Sequence, residues 1–130
     1  MPSPRRADLE RSEFRRLVRE AVASLPQELR DRVHNVDIVI ETRPSARDRK
    51  TAGLGPHRTL LGLYHGIPLT KRGEYYNLVL PDKISIYQEP IESICRSDDE
   101  VREQVRKTVL HEIAHYFGID DERLHELGMG

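Results

Sequence analysis

The sequence predicts an α+β fold, in which a few short strands lie between a helix near the N-terminus and another near the C-terminus. Two observations carry this prediction. Apolar residues recur at three- and four-residue spacing near both ends of the chain, as they do on the buried face of a helix. Between these segments, short β-branched runs are bounded by glycine and proline, which is typical of strands and turns. Because the chain has 130 residues, we expect residues 1–130 to form a single domain.

The N-terminal part is expected to contain two helices and a strand. The first helix is predicted over about residues 7–24, and Pro26 ends it and can open a short second helix through Val33. VDIVIE, from Val36 to Glu41, carries β-branched residues on both faces and therefore predicts a well-buried strand. The apolar face of the first helix comprises Phe14, Leu17, Val18, Ala21, Val22 and Leu25.

The middle of the chain is expected to alternate loops and strands. Residues from about 42 to 59 are rich in arginine, glycine and proline and show no apolar periodicity. This composition predicts a long, basic, mobile loop. LLGLYHG, beginning at Leu60, predicts a second strand. NLVL and KISIYQ flank Pro81 and Asp82, and KISIYQ alternates apolar with polar residues, which favours a half-exposed hairpin at a sheet edge.

A helix near the C-terminus is predicted from its two ends. Ser97 followed three residues later by Glu100 is a capping-box pattern, so we expect the helix to begin there. Gly118 is placed to end it by adopting a left-handed conformation. A last short helix is expected to follow, capped by Asp120 or Asp121. The apolar face of the longer helix comprises Val101, Val105, Thr108, Val109 and Ile113.

Composition limits the classes of protein and of site. Cys95 is the only cysteine, so the chain can form no internal disulfide and offers no thiolate cluster, and we expect a reducing compartment. The sequence shows no signal peptide and no apolar run long enough to cross a membrane, so we expect a cytoplasmic protein. A net charge of −1 does not favour nucleic acid as the main partner. Because the chain has only one cysteine, any metal site must use histidines and carboxylates.

The stretch HEIAHYFGIDDERLHELG, which begins at His111, contains the residues suited to chemistry. Four residues turn a helix through about 400°, so His111 and His115 project from the same face, where two imidazoles can share one ion. Glu112 lies about 100° round the helix, near enough to reach a water held by that ion. This arrangement is typical of a metal hydrolase, because the ion lowers the pKa of its water and the carboxylate takes the proton as the water attacks a carbonyl.

A third ligand is needed, because a catalytic zinc normally takes three protein ligands and leaves one position open. A chain that reverses at Gly118 can bring back Asp121, six residues after His115, as that ligand. Two alternatives stay open. Asp120 could be the ligand with Asp121 as the helix cap, and His125 could also reach the ion.

More of the chain than this motif resembles a known family. GLYHGIPLT, then LPDKISIYQEPI, then a helix carrying TVLHEIAHYFGIDDERLHELG resemble the small bacterial zincin-like metallopeptidases over roughly residues 30–128. The pattern His-Glu-x-x-His-x-x-Gly-x-x-Asp, from His111 to Asp121, is also similar to the long zinc motif of metzincins, with aspartate in place of the third histidine. The resemblance implies a zincin-like fold, with a small mixed sheet packed on the active-site helix. It also implies that KISIYQ is the edge strand beside the zinc cleft, able to hold an extended peptide by strand addition.

The leading hypothesis is a zinc-dependent metallopeptidase acting on a peptide or protein. In it, His111, His115 and Asp121 hold one zinc ion, and Glu112 is the general base. Because few residues follow Asp121, the cleft is expected to be shallow unless the basic loop or a partner supplies a wall. Two other hypotheses stay open. One is a zinc-stabilised binding or regulatory module with little turnover, and the other is a metal-dependent ribonuclease of the YbeY type, whose motif shares the histidine spacing and an aspartate at Asp120.

Overall fold

The computed structural model describes residues 8–33, 36–53, 59–66, 82–119 and 121–126; in the last range, the side chains described are those of Glu122, Arg123 and Glu126. Short helices and three strands alternate along this part of the chain, and the longest helix comes near its end. In chain order the elements are α1 (Arg11–Ala23), α2 (Gln27–Arg30), β1 (Val36–Glu41), α3 (Ala46–Thr51), β2 (Gly62–His65), β3 (Asp82–Tyr87), α4 (Gln88–Ser93), α5 (Asp98–Tyr116) and α6 (Asp121–Glu126).

The three strands form one mixed sheet in the order β1-β3-β2. The central strand, β3, runs parallel to β1 and antiparallel to β2. Ile84 of β3 lies beside Ile38 of β1 and beside Tyr64 of β2. The predicted α+β fold with a small mixed sheet is therefore confirmed.

The expectation that KISIYQ is an edge strand was wrong, because β3 has a neighbour on both sides. The polar residues that suggested a half-exposed face are buried, and the Ser85 and Tyr87 side chains are both 0% exposed. Hydrogen bonds make this burial tolerable, because the Ser85 hydroxyl donates to Glu41 Oε2 at 2.6 Å and the Tyr87 hydroxyl donates to Asp48 Oδ2 at 2.7 Å. Burial, with the nearby Asp48 carboxylate, raises the pKa of Tyr87, which stays protonated. NLVL, the predicted hairpin partner, lies outside the described residues.

The opposite face of the sheet packs on helices and forms the core. The apolar faces predicted for α1 and α5 meet there, because α1 packs against α5 and α5 packs against β2 and β3. This packing fixes α5 beside β2, the strand next to the C-terminal turns of the helix. The buried core comprises Phe14, Leu17, Val18, Ala21, Leu25, Ile84, Ile86, Ile91, Cys95, Val101, Val105, Val109 and Ile113.

Part of the basic segment predicted as a loop over residues 42–59 is helical, so the prediction of a continuous loop was wrong there. The Ser45 hydroxyl caps α3 by accepting the N–H of Asp48 at 3.0 Å. The Tyr87 bond to Asp48 then ties α3 to the centre of the sheet. No residue of α3 is buried, so the helix has no apolar period by which the sequence could reveal it. Residues 54–58 lie outside the described part.

The remaining helices differ modestly from the sequence predictions. The first helix begins at Arg11, and α2 ends at Arg30 rather than near Val33. The sequence did not predict α4, whose residue Pro90 lies in the first turn, where its missing N–H leaves no hydrogen bond unmade. Among the helices described, none is both long and apolar enough to cross a membrane.

Ser97 caps α5 as predicted, because its hydroxyl accepts the N–H of Glu100 at 3.1 Å. The Glu100 carboxylate reaches back to the N–H of Arg96 at 3.4 Å. Replacing Ser97 with alanine is expected to lower the free energy of unfolding by about 1 kcal/mol, because the Glu100 N–H loses its acceptor. Urea denaturation measures the loss. The control, Ser93→Ala, removes an exposed hydroxyl and is expected to cost under about 0.5 kcal/mol; equal losses would show that the cap is not the cause.

Candidate metal centre

The C-terminal end of α5 is fixed by a Schellman motif. Gly118 has a φ of 83°, the left-handed conformation predicted for it. Its N–H donates to the carbonyl of His115 at 2.9 Å, and the N–H of Ile119 donates to the carbonyl of Ala114 at 2.9 Å. These are the two hydrogen bonds of that motif. The backbone therefore turns directly after α5, and α6 begins at Asp121.

His111 and His115 lie on the same face of α5, as their spacing predicts. Their ring centroids are 4.5 Å apart and the ring planes are inclined by 60°. Ligand atoms of these two imidazoles and of the Glu112 carboxylate all lie within 4.8 Å of one another. Nitrogen and oxygen donors this close together are suited to zinc. The structure thus brings together the three residues predicted from the first turn of the motif.

Glu112 is held on the side of α5 that faces the sheet, and its side chain is 7% exposed. Its Oε1 accepts the backbone N–H of Tyr64 in β2 at 2.8 Å. The same oxygen lies 3.6 Å from Nδ1 of His115, which is an electrostatic contact rather than a good hydrogen bond. The Glu112 oxygen that faces His115 therefore already accepts a hydrogen bond from β2. The other oxygen, Oε2, makes no hydrogen bond to the described residues, and the role of Glu112 as a base stays a prediction.

Tyr64 and Gly62 hold β2 close to α5. The Tyr64 hydroxyl donates to Oδ2 of Asp82 at 2.6 Å, and its ring lies edge-on to that of Tyr116 with centroids 5.9 Å apart. Gly62 lies where the strand passes close to the helix, because a Cβ there would lie 2.7 Å from Cγ2 of Thr108. Glycine therefore lets the strand approach until the Tyr64 amide reaches the buried carboxylate of α5.

Gly62→Ala tests this close approach. The new methyl would lie 2.7 Å from Thr108 Cγ2 and 3.3 Å from Glu112 Cγ, so β2 has to shift away from α5. We expect the free energy of unfolding to fall by about 1–3 kcal/mol and the Tyr64 amide proton to exchange faster. Denaturant titration and NMR hydrogen exchange measure the two effects.

The matched control is the double variant Gly62→Ala/Thr108→Ser, which removes the methyl group that the new side chain meets. It keeps the hydroxyl oxygen that accepts from Gln104 Nε2 at 3.2 Å. We expect it to recover much of the lost stability. A double variant no more stable than Gly62→Ala would show that contact with Thr108 is not the cause.

The third ligand stays a prediction. The backbone reversal at Gly118 that the prediction requires is present, and Asp121 is the first residue of α6. The side chains of Asp121 and His125, and the whole of Asp120, lie outside the described residues. Substitution of each of the three is the way to choose among them.

A second polar cluster lies on the other face of the sheet. Nε2 of His65 and Oγ of Ser85 are 3.1 Å apart, and Ser85 donates to Glu41. Here the serine lies between the histidine and the carboxylate, whereas a nucleophilic triad places the histidine in the middle. Ser85 is also fully buried. This cluster therefore links the three strands, and it fixes the end of β2 next to Tyr64.

The sequence predictions did not include the contribution of β2 to the site. The group of Tyr64 that contacts Glu112 is its backbone N–H, which every residue except proline has, so the residue type at this position could not reveal the contact. Gly62 could have indicated this contact from the sequence, because a glycine inside a strand pattern often marks a close approach of another element. Asp82 was identified only as a turn residue.

Comparison with known proteins agrees with this fold. The family model described as zincin-like metallopeptidase matches residues 33–130. A solved structure described as a conserved hypothetical protein from Thermo thermophilus is similar, with a TM-score of 0.55 and 21% sequence identity over 92% of this chain and 97% of that chain. At that identity the likeness concerns the fold alone. No curated protein matches the chain significantly.

Proposed function

The chain belongs to the zincin-like metallopeptidase family, and from this premise we propose that it is a zinc-dependent hydrolase of peptide bonds. The observation that carries the proposal is the buried Glu112 carboxylate, which accepts the Tyr64 N–H at 2.8 Å beside the two imidazoles. A structural zinc site closes all four positions with protein ligands and needs no carboxylate oriented in this way. The arrangement therefore supports catalysis over purely structural binding.

We propose His111, His115 and Asp121 as the ligands of one zinc ion. The closeness of the two imidazoles on one face of α5 supports the first two. The backbone turn at Gly118 supports the third. When bound, zinc supplies a Lewis acid that polarises a carbonyl and lowers the pKa of a bound water to about 7.

Glu112 is proposed as the general base and then the general acid. The Tyr64 N–H holds Oε1, and Oε2 makes no hydrogen bond to the described residues. Oε2 can therefore take a proton from the attacking water and pass it to the leaving amine. Because the carboxylate is buried and anchored, it is already oriented before substrate arrives, which lowers the entropic cost of the proton transfer.

Strand β2 is proposed as the strand along which a peptide substrate lies. In the described sheet it is an outer strand, it lies next to α5, and the Tyr64 N–H points away from β3 towards Glu112. An extended peptide along this edge would pass beside the catalytic carboxylate, and it would pair with outward backbone groups of β2 other than the Tyr64 N–H, which Glu112 already accepts. β2 thus takes the place that the sequence resemblance implied for KISIYQ.

Hydrolysis of a randomised peptide library tests the proposed activity. Zinc-loaded protein is expected to generate new peptide termini, detected by mass spectrometry, and chelation is expected to stop their formation until zinc is restored. No new termini from zinc-loaded protein, or cleavage that survives chelation, would count against the proposal. An RNA library run in parallel distinguishes a ribonuclease, which would cleave RNA and leave the peptides intact.

A further inference from the structure

A groove lies between α1 and the outer edge of β1. Its volume is about 900 Å³, and its floor is apolar, formed by Val18 and Val22 of α1 with Ile38 and Ile40 of β1. Because the strand order is β1-β3-β2, this groove lies at the opposite edge of the sheet from the strand that holds Glu112. The proposed peptidase mechanism does not use it.

Three arginines surround the groove, namely Arg15 and Arg19 of α1 and Arg30 of α2. All three are exposed, and within the described part of the chain none makes an ion pair or a side-chain hydrogen bond. Arg16, on another face of α1, is instead paired with Glu20 at 3.5 Å. No carboxylate lines the groove. Charge complementarity therefore favours an acidic occupant.

The groove also presents a strand edge. β1 pairs with β3 and with no other strand of the described sheet. The carbonyl of Ile40 accepts a hydrogen bond from Nη1 of Arg11 at 3.0 Å, so the backbone groups of Ile40 point away from β3. The direction of the backbone groups alternates from one residue of a strand to the next. The N–H and C=O of Ile38, two residues before Ile40, therefore also point outward, into the groove. Such an edge is a template for pairing with another extended chain.

The spacing of the arginines along α1 is close to that of alternate residues in an extended chain. Arg15 and Arg19 are separated by about 6 Å along the helix axis, and alternate residues of an extended chain are about 6.6 Å apart. We propose that this groove binds an extended segment of a partner protein, acidic at every second position, which adds as a strand to β1. The methylene groups of the segment's glutamates lie on the apolar floor, and the glutamate carboxylates face Arg15, Arg19 and Arg30.

Other anionic occupants fit fewer of these features. A nucleic acid would offer phosphates to the arginines, but nothing that pairs with the backbone of Ile38 or covers the apolar floor. The first seven residues of this chain, MPSPRRA, contain two arginines and no acidic residue, so charge repulsion opposes their binding here. An acidic peptide satisfies the arginines, the floor and the strand edge together.

Fluorescence anisotropy with synthetic peptides tests the proposal on the whole 130-residue chain, loaded with zinc. The probe is a fluorescein-labelled peptide that alternates glutamate and threonine, compared with a peptide of the same composition in which the glutamates are contiguous. We expect the alternating peptide to bind about tenfold more tightly, with affinity falling as salt rises. Arg15→Glu/Arg19→Glu is expected to weaken binding about tenfold or more. The control with the same change of net charge is Arg96→Glu/Lys107→Glu, at two exposed positions outside the groove, which is expected to leave binding unchanged.

Backbone N-methylation of the peptide separates strand addition from simple charge attraction. Two peptides carry methyl groups on alternate sets of residues, so that only one set faces β1. We expect one peptide to lose binding and the other to keep it, because only the inward-facing N–H groups pair with the strand. Equal binding of the two methylated peptides would overturn the proposal.

Three further results would overturn it. The first is a loss with Arg96→Glu/Lys107→Glu as large as that with Arg15→Glu/Arg19→Glu. The second is tighter binding of an oligouridylate of the same charge, lost with the same arginine substitutions, which would assign the groove to nucleic acid. The third is a dimer in sedimentation velocity that forms without peptide and dissociates in Arg15→Glu/Arg19→Glu, which would assign the groove to a second copy of the chain.

Discussion

Replacing Glu112 with glutamine is expected to lower kcat by about 10²–10⁴-fold, the range supplied by a positioned general acid and base. Glutamine has the same shape, and its carbonyl oxygen can still accept the Tyr64 N–H that Glu112 accepts at 2.8 Å. It cannot take a proton from water. The substitution therefore removes the proposed chemistry while keeping the anchor. Steady-state kinetics on a substrate identified from the peptide library, with zinc content measured on the same samples, gives the comparison.

The control for this substitution is Glu103→Gln on the same helix. Glu103 is exposed and pairs with Arg106 one turn away, so its loss is expected to leave kcat within about twofold. A Glu112→Gln enzyme with undiminished kcat and a full complement of zinc would assign the base to another residue. A variant that loses zinc and activity together would instead indicate that Glu112 is a ligand.

His115→Ala is expected to abolish the stabilisation of the fold by zinc. An ion that binds the folded chain stabilises it by about 4 kcal/mol when free zinc is a thousandfold above the dissociation constant. His115 is one of the two imidazoles in the proposed ligand set, so its removal leaves the ion with too few ligands. Without zinc the variant should unfold close to the wild type, because the His115 side chain is 31% exposed. Calorimetric scans with and without zinc give the shift in Tm.

His65→Gln is the matched control for this measurement. His65 is a histidine on the other face of the sheet, bonded to Ser85, and no metal role is proposed for it. We expect its variant to have a lower Tm than the wild type but an undiminished rise in Tm on adding zinc. An equal rise with zinc in His115→Ala and the wild type would contradict the proposed ligand set.

The parts of the fold that the sequence predicted are those with local causes. The start of α5 follows from the Ser97 side chain, and its end follows from Gly118, the residue best able to adopt the left-handed conformation found there. The same helix carries His111 and His115 four residues apart, so their closeness follows from helix geometry alone. The closeness of these two histidines and of Glu112, which adjoins His111 on the same helix, could therefore be predicted without knowledge of the sheet.

The parts that the sequence did not predict depend on contacts between distant segments. The alternation of KISIYQ indicated one polar face but not whether that face is exposed, and hydrogen bonds to Glu41 and Asp48 bury Ser85 and Tyr87. The helix α3 buries no residue, so no apolar pattern marks it. The amide of Tyr64 reaches the site only because the sheet order places β2 beside α5.

The proposed zinc site, at the C-terminal end of α5 and in the turn that follows it, requires this chain to bind zinc. Inductively coupled plasma mass spectrometry of wild-type protein, purified under zinc-replete conditions, measures its zinc content. The imidazoles of His111 and His115, whose ligand atoms lie within 4.8 Å of each other, with the proposed third ligand Asp121, predict one zinc ion per chain. A folded wild-type protein that contains no zinc under those conditions would contradict it.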